Sequence, residues 1–314
     1  MKTRTILGAC AAGILVLLGS CVSSPTGAPN ATNPPALQAP DGTGTVDFAT
    51  IERLSEEYRV MRYQSQPAIR TELARYYDPF VLVDLPSTRN RYVLGTVRGE
   101  HRQEILIRGT ANGRNVLYDL QFARRYDKRL GISLHAGFDA MAQALYADIL
   151  PRLDKSDDLV IFGHSLGAAE AVILSMLLSQ DGFRIAMVYA SGGPRLTDRE
   201  GEAKYDGLPI LRIVNQGDPV PLLPPRDIPD PKDPYVHIGP AMLLLDGPAY
   251  CLLRDDVGDE AIASTFWKFL GDRSVRHDVQ EHLIPAYIAR LKPKLEQATQ
   301  VPFVDRLKYL SAAN

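Results

Sequence analysis

The chain of 314 residues has no block of like charge: 35 basic and 37 acidic residues are interspersed, for a formal net charge of −2. A nucleic-acid partner, which a basic stripe would announce, is therefore not expected. Histidine and cysteine are scarce, at six and three, and none fall at metal-ligand spacing, so no metal is implied. No glycine-rich phosphate loop is present, so no organic cofactor is implied either. Internal repeats are absent from the sequence. Its longest apolar run falls short of the ~20 residues that a membrane-spanning helix needs. What remains is an ordinary globular composition, long enough for one large domain with a sizeable core.

That apolar run lies at the start of the chain. Lys2 and Arg4 precede an uncharged stretch from Thr5 to Gly19 and then small residues, the pattern of a secretory leader. The sequence Leu18-Gly19-Ser20-Cys21 resembles a bacterial lipobox, in which the cysteine is acylated and becomes the mature N-terminus. Cys10 has too short an apolar segment before it for that role. Val22 stands where an aspartate usually holds Gram-negative lipoproteins at the inner membrane, so a lipid anchor in the outer membrane is expected. Removing residues 1–20 takes away two basic residues and no acidic one, moving the charge from −2 to −4. The body of the protein then has nothing to draw it to anionic lipid, and the anchor must supply membrane attachment. Val22 to Thr45 is rich in Pro, Thr, Gly, Ala and Asn with almost no charge, and reads as a flexible tether. The expected organisation is a leader over 1–20, a lipidated Cys21 and tether over 21–45, and one folded domain over 46–314. With Cys21 acylated no disulfide is possible, and Cys251, among apolar neighbours, reads as a small buried hydrophobe.

Within the folded part, Gly163-His164-Ser165-Leu166-Gly167 is the most informative segment. The short apolar run Asp158 to Phe162 before it reads as a buried strand, and the Ala/Leu-rich Ala168 to Leu178 after it as a helix. A serine at such a strand-to-helix turn is a nucleophile elbow, whose flanking glycines let backbones pass closely. The N–H groups opening the helix point at any anion forming there. The competing reading is a small-residue helix cap. Further segments read as a packing helix over 47–75 (Phe48, Ile51, Leu54, Tyr58, Met61) and strand-like stretches at Tyr92–Arg98, Glu104–Arg108 and Val116–Leu120. A helix over 137–150 ends at Pro151, strands follow at 184–189 and 210–215, and 235–245 is mixed apolar and β. A last helix runs over 285–295. Strands alternating with helices predict an α/β fold with a mostly parallel sheet covered on both faces, and ligands of such sheets bind beyond the carboxyl ends of the strands.

A serine hydroxyl needs a base, and the base an orienting group; in this architecture the chain order is Ser, Asp or Glu, His. Asp218 is the best-placed acid, in the turn after the apolar strand Ile210 to Val214, although an Asp before Pro is often a turn residue alone. Of the histidines that follow, His237 lies in a strand-like segment and reads as a core residue, and His277 sits in a charged, solvated stretch. His282 falls just before Pro285, which belongs to the first turn of a helix, and so occupies the loop position from which a base can reach the serine.

These pieces resemble the class 3 lipase family, the fungal-type α/β-hydrolases, from about Arg91 to Leu291. The segments that carry the resemblance are Ile107-Arg108-Gly109-Thr110, Arg114 to Leu120, Leu134-His135-Ala136-Gly137-Phe138, Gly193-Pro194-Arg195, Val214 to Pro221, and His282 to Tyr287, in the family's order. The resemblance implies Ser165 as nucleophile, Asp218 as orienting acid and His282 as base, with the N–H groups of Thr110 and Leu166 as oxyanion donors and His135 structural. It implies a serine ester hydrolase, in the first place a lipase that cleaves acylglycerol ester bonds through an acyl-enzyme intermediate. Phospholipase A1 or general carboxylesterase activity, acyl transfer and a non-catalytic, lipid-anchored binding protein are the alternatives. Val116 stands where many lipases carry Trp, and Ala111 to Gly113 is short and polar, so a reduced lid is expected.

Overall fold

The computed structural model describes residues 46–109, 123–225, 232–253 and 280–310. Helices α1 (Phe48–Tyr63) and α2 (Gln66–Leu73) lead into strands β1 (Tyr77–Leu85), β2 (Asn90–Val97) and β3 (Arg102–Arg108). A small hairpin of β4 (Arg124–Asp127) and β5 (Ile132–His135) precedes helix α3 (Ala136–Ile149). Strand β6 (Asp158–His164), helix α4 (Leu166–Gln180), strand β7 (Arg184–Ser191), helix α5 (Arg199–Tyr205) and strand β8 (Ile210–Asn215) follow. Strands β9 (Ala241–Leu244) and β10 (Ala249–Leu253), helix α6 (Ile284–Glu296) and strand β11 (Thr299–Gln300) complete the order.

Among the described residues the main sheet runs β1-β2-β3-β6-β7-β8-β9-β10-β11. Its centre, from β3 through β9, is parallel, as expected where helices connect the strands. Alternation along β6 shows how both faces are filled. Leu159 and Ile161 join the cluster formed with α3 and α4 (Leu145, Ile149, Ile173, Leu177). Val160 and Phe162 join the opposite cluster with α1 and α6 (Leu54, Tyr58, Tyr287, Leu291). Helix α4 is buried at every position from Leu166 to Leu178, which accounts for its lack of a polar face. Cys251 is fully buried on β10, and burial pushes its thiol up to about 12.

The helix expected over 47–75 is two helices, because Pro67 opens α2, where a missing N–H costs nothing. Of the β segment expected over 235–245 only Ala241–Leu244 joins the sheet. Gly239, at φ +80°, turns the chain just before it, and Val236 makes an isolated bridge to Thr197. Strand β1 was not foreseen. Its polar Asp78-Pro79 and Asp84 interrupt the apolar pattern, and an edge position is where a strand tolerates proline. Val116–Leu120 lies outside the described residues.

Buried carboxyl groups sit on both sides of the sheet, among them Glu57, Glu104 and Glu170. Arg53 on α1 donates to Glu57 at 2.7 Å and to both oxygens of Glu104 on β3, at 2.8 and 3.0 Å. The Tyr77 hydroxyl lies against Glu104 at 2.6 Å and also against Glu57. One hydroxyl hydrogen serves only one carboxylate, and burial pushes Glu57 up to about 7, so this carboxyl readily carries the second proton. On the other face, Glu170 of α4 accepts from the Asn90 amide while its own Oε1 and the Asn90 Oδ1 have no partner. Burial pushes Glu170 up to about 8, so this carboxyl readily carries a proton.

A carboxyl whose folded pKa lies above its unfolded value stabilises less as pH rises between the two. For Glu170 that loss runs from about 4.5 to about 8. Glu170→Gln retains the shape and supplies a permanent donor. Its Tm relative to wild type is therefore expected to rise by several degrees between pH 5 and pH 8, read by calorimetry; a difference independent of pH contradicts the neutral acid.

Candidate active site

The site begins with a backbone constraint. Ser165 connects β6 to α4 at φ 61° and ψ −129°, a region that residues bearing a Cβ rarely occupy. A Cβ on Gly163 would lie 2.0 Å from the Gly167 carbonyl oxygen, and one on Gly167 2.4 Å from the Ile107 carbonyl oxygen. Only glycine fits at either position, and this is the physical content of the Gly-x-Ser-x-Gly pattern. The turn is held by the Ser165 N–H donating to the Ser191 carbonyl and the Ala168 N–H donating to the Ser165 carbonyl, both at 2.9 Å. The Ser165 hydroxyl thereby stands at the carboxyl end of the parallel strands.

Asp218 lies on the turn after β8, and His282 one residue before Leu283, the N-cap of α6. The structure brings these two residues and Ser165 together. His282 Nε2 is 2.8 Å from Ser165 Oγ, and Nδ1 is 2.9 and 3.1 Å from the two Asp218 oxygens. Asp218 is fully buried, with 1% of its surface exposed. It accepts from the Val220 N–H at 2.8 Å and from the Tyr287 hydroxyl. These donors hold the acid in place, and its contact with Nδ1 fixes the imidazole tautomer with Nδ1 protonated. Nε2 is then free to accept the serine proton.

Neighbours of the three fix the base from below. The His164 ring stacks on the His282 ring, centroids 5.0 Å apart and planes 24° apart. Its Nε2 is 2.9 Å from the His282 carbonyl oxygen and its Nδ1 3.1 Å from Ser191 Oγ. Burial, reinforced by the nearby His282, holds the His164 imidazole well below the usual histidine range. It is therefore neutral, donating through Nε2 and accepting through Nδ1. Asn215 donates to the carbonyl and carboxylate of Glu281, both at 2.9 Å, and accepts from Arg290 at 2.8 Å. The acid-bearing turn is thus tied directly to the residue before His282. Beyond Asp218, His237 donates to the Pro221 carbonyl at 2.8 Å, and Arg195 holds the carbonyls of Leu222, Leu223 and Pro224.

Leu166 opens α4, so its N–H has no partner within the helix and is a donor beside the serine. Thr110, Cys21 and His277 lie outside the described residues. His135 caps α3 and stacks on Phe138 at 3.9 Å, and burial lowers it to about 4. Among the described residues no group of His, Cys, Asp or Glu is arranged to hold a metal. Sequence reasoning assigned no role to His164 or Tyr287. The signal for His164 was its place as the variable residue of the pentapeptide, on the last position of a buried strand.

Residues 104–228 match the family model for lipase (class 3). The chain is 29% identical over 157 residues to a lipase of Rhizopus niveus, covering 45% of this chain and 39% of that protein. It is 30% identical over 165 residues to the secreted mono- and diacylglycerol lipase 1 of Fusarium solani, covering 47% and 46%. The chain thus spans less than half the length of these relatives. The crystal structure of the lipase from Rhizopus microsporus var. chinensis superposes with a TM-score of 0.58 at 21% identity, over 70% of this chain and 85% of that one. The shared architecture is the α/β-hydrolase fold.

Tyr287→Phe removes one donor from Asp218 and keeps the buried ring. The rate at which a p-nitrophenyl phosphonate labels Ser165 is expected to fall about tenfold, the typical scale for losing a hydrogen bond to a charged group, with no loss of folded protein by circular dichroism. An unchanged rate contradicts the positioning of the acid through Tyr287.

Proposed function

We propose that the protein is a serine hydrolase of lipid carboxylic esters, with acylglycerols as the leading substrate class. The observation that carries this reading is the continuous hydrogen-bonded path from Ser165 through His282 to Asp218, with distances of 2.8 and 2.9 Å, at an elbow built for a nucleophile. The matched family and the names of the relatives support the acylglycerol class.

The chemistry follows from the geometry. As Ser165 Oγ attacks the ester carbonyl, His282 Nε2 takes its proton and Asp218 stabilises the imidazolium. Negative charge develops on the carbonyl oxygen beside the Leu166 N–H, with Thr110 assigned as the second donor. Each such donor typically lowers the barrier by about 3 kcal/mol. His282 then protonates the departing alcohol, and water repeats the sequence on the acyl-enzyme.

We also propose that Cys21 is lipidated and that the domain works at a bacterial membrane surface, the outer membrane in a Gram-negative host, on the tether over 21–45. The lipobox-like Leu18 to Cys21 supports this reading. No helix among the described residues is long and apolar enough to cross a membrane.

Ser165→Ala is expected to abolish fatty-acid release from diacylglycerol and p-nitrophenyl esters in folded protein, and His282→Ala to slow it by orders of magnitude, with His277→Ala close to wild type. Retained turnover in Ser165→Ala defeats the nucleophile, and the opposite ranking of the histidines moves the base. Cys21→Ala should shift the protein from the membrane to the soluble fraction of the producing cell; unchanged partitioning contradicts the anchor.

A further inference from the structure

Three arginines gather at the strand ends beside the elbow. Strands β1, β2, β3 and β6 pair so that Asp84, Arg91, Arg108 and His164 are successive cross-strand partners at one end of the sheet. Partners in one row project to the same face, and His164 projects toward α1, its ring 5.5 Å from that of Tyr58. Arg91 and Arg108 therefore stand on the α1 side as well. Arg91 reaches the Met61 carbonyl in the last turn of α1 at 3.4 Å. The next residue, Arg62, extends over the Tyr63 ring at 5.7 Å.

These three guanidinium groups are unequally served. Asp84 faces them, and Arg91 engages it with two bonds of 2.7 and 2.9 Å. Arg108 is half-buried, and its Nε is buried without an acceptor. Burial and the charges of Arg91 and Arg62 both disfavour its ionised form. An arginine desolvated, crowded by like charge and short of an acceptor is costly to keep. A bound oxyanion offsets the crowding of like charge, and guanidinium forks match tetrahedral phosphoryl oxygens.

We infer that Arg62 and Arg108, with Arg91 behind them, bind a phosphate-type anion, and that it is the headgroup phosphodiester of a phospholipid whose acyl ester Ser165 cleaves. This rests on the ester-hydrolase reading above. Arg108 is the cross-strand partner of His164, the residue preceding Ser165, which places the arginine row on the strand ends that carry the serine. In a glycerophospholipid the phosphodiester is carried on the glycerol carbon next to an acyl ester. A triacylglycerol has no group to place there.

The test compares kcat/KM for dioctanoylphosphatidylglycerol and dioctanoylglycerol in nonionic mixed micelles, on the full chain. Arg62→Gln and Arg108→Gln are expected to lower the phospholipid-to-diglyceride ratio about tenfold or more, and Arg75→Gln, exposed on another part of the surface, to leave it unchanged. A ratio unmoved in both arginine variants overturns the inference, as does wild-type protein that cleaves the diglyceride and leaves the phospholipid. A protein inactive on both esters contradicts the hydrolase reading instead. Binding of the same micelles to Ser165→Ala by calorimetry then still reports on the arginines, with tighter phosphatidylglycerol binding that Arg108→Gln abolishes as the expected result and its absence as the contrary one. Inorganic phosphate that binds as tightly as the phospholipid overturns the headgroup assignment.

Discussion

The positive φ of Ser165 is the constraint on which the rest of the site depends. A backbone in that region is strained by about 1–3 kcal/mol, and it persists because a buried strand enters the turn and a wholly buried helix leaves it. Gly163 and Gly167 let the strand, the helix and the neighbouring strand β3 approach without a Cβ between them. The strain lifts the hydroxyl out of the sheet and turns the first N–H of α4 toward the same point. The Ser165 hydroxyl and the N–H that opens α4 therefore come from one local device.

The base and the acid are brought to that point from far along the chain, and the means are polar. His164 holds the His282 backbone and offers its ring as a floor, Tyr287 and the Val220 N–H hold Asp218, and Asn215 with Arg290 ties the two loops through Glu281. Fully satisfied networks of this kind rigidify a site in low dielectric, and partly satisfied ones are costly. Burial sets the neutral state of His164, so the imidazole beneath the base adds no competing charge when His282 takes a proton. The same logic leaves Glu170 neutral on the opposite face of the sheet.

Much of the fold was legible because its signals are local. The apolar run before Ser165, the Ala/Leu-rich run after it and Ile210 to Val214 each state their own secondary structure, and their alternation gives the parallel sheet. Three side chains far apart in sequence form one hydrogen-bonded line, Ser165 to His282 to Asp218. The misses share a cause, since they depend on partners distant in sequence. Strand β1 carries Pro79 and two aspartates and is a strand only because it lies at the edge against β2. The segment before Ala241 is apolar yet leaves the sheet at Gly239. His164 is the variable residue of its pentapeptide, and its role depends on the His282 carbonyl 118 positions away. Arg108 carried a family resemblance, and only the register of four strands shows that it stands among other arginines.

The most direct measurement is the crystal structure of the protein after reaction with a p-nitrophenyl alkylphosphonate, which mimics the tetrahedral intermediate. The account predicts phosphorus bonded to Ser165 Oγ, His282 Nε2 within hydrogen-bond distance of the adduct, Asp218 still joined to Nδ1, and a phosphonyl oxygen facing the Leu166 N–H. An adduct on another residue, or a His282 ring turned away from the phosphonylated serine, contradicts it.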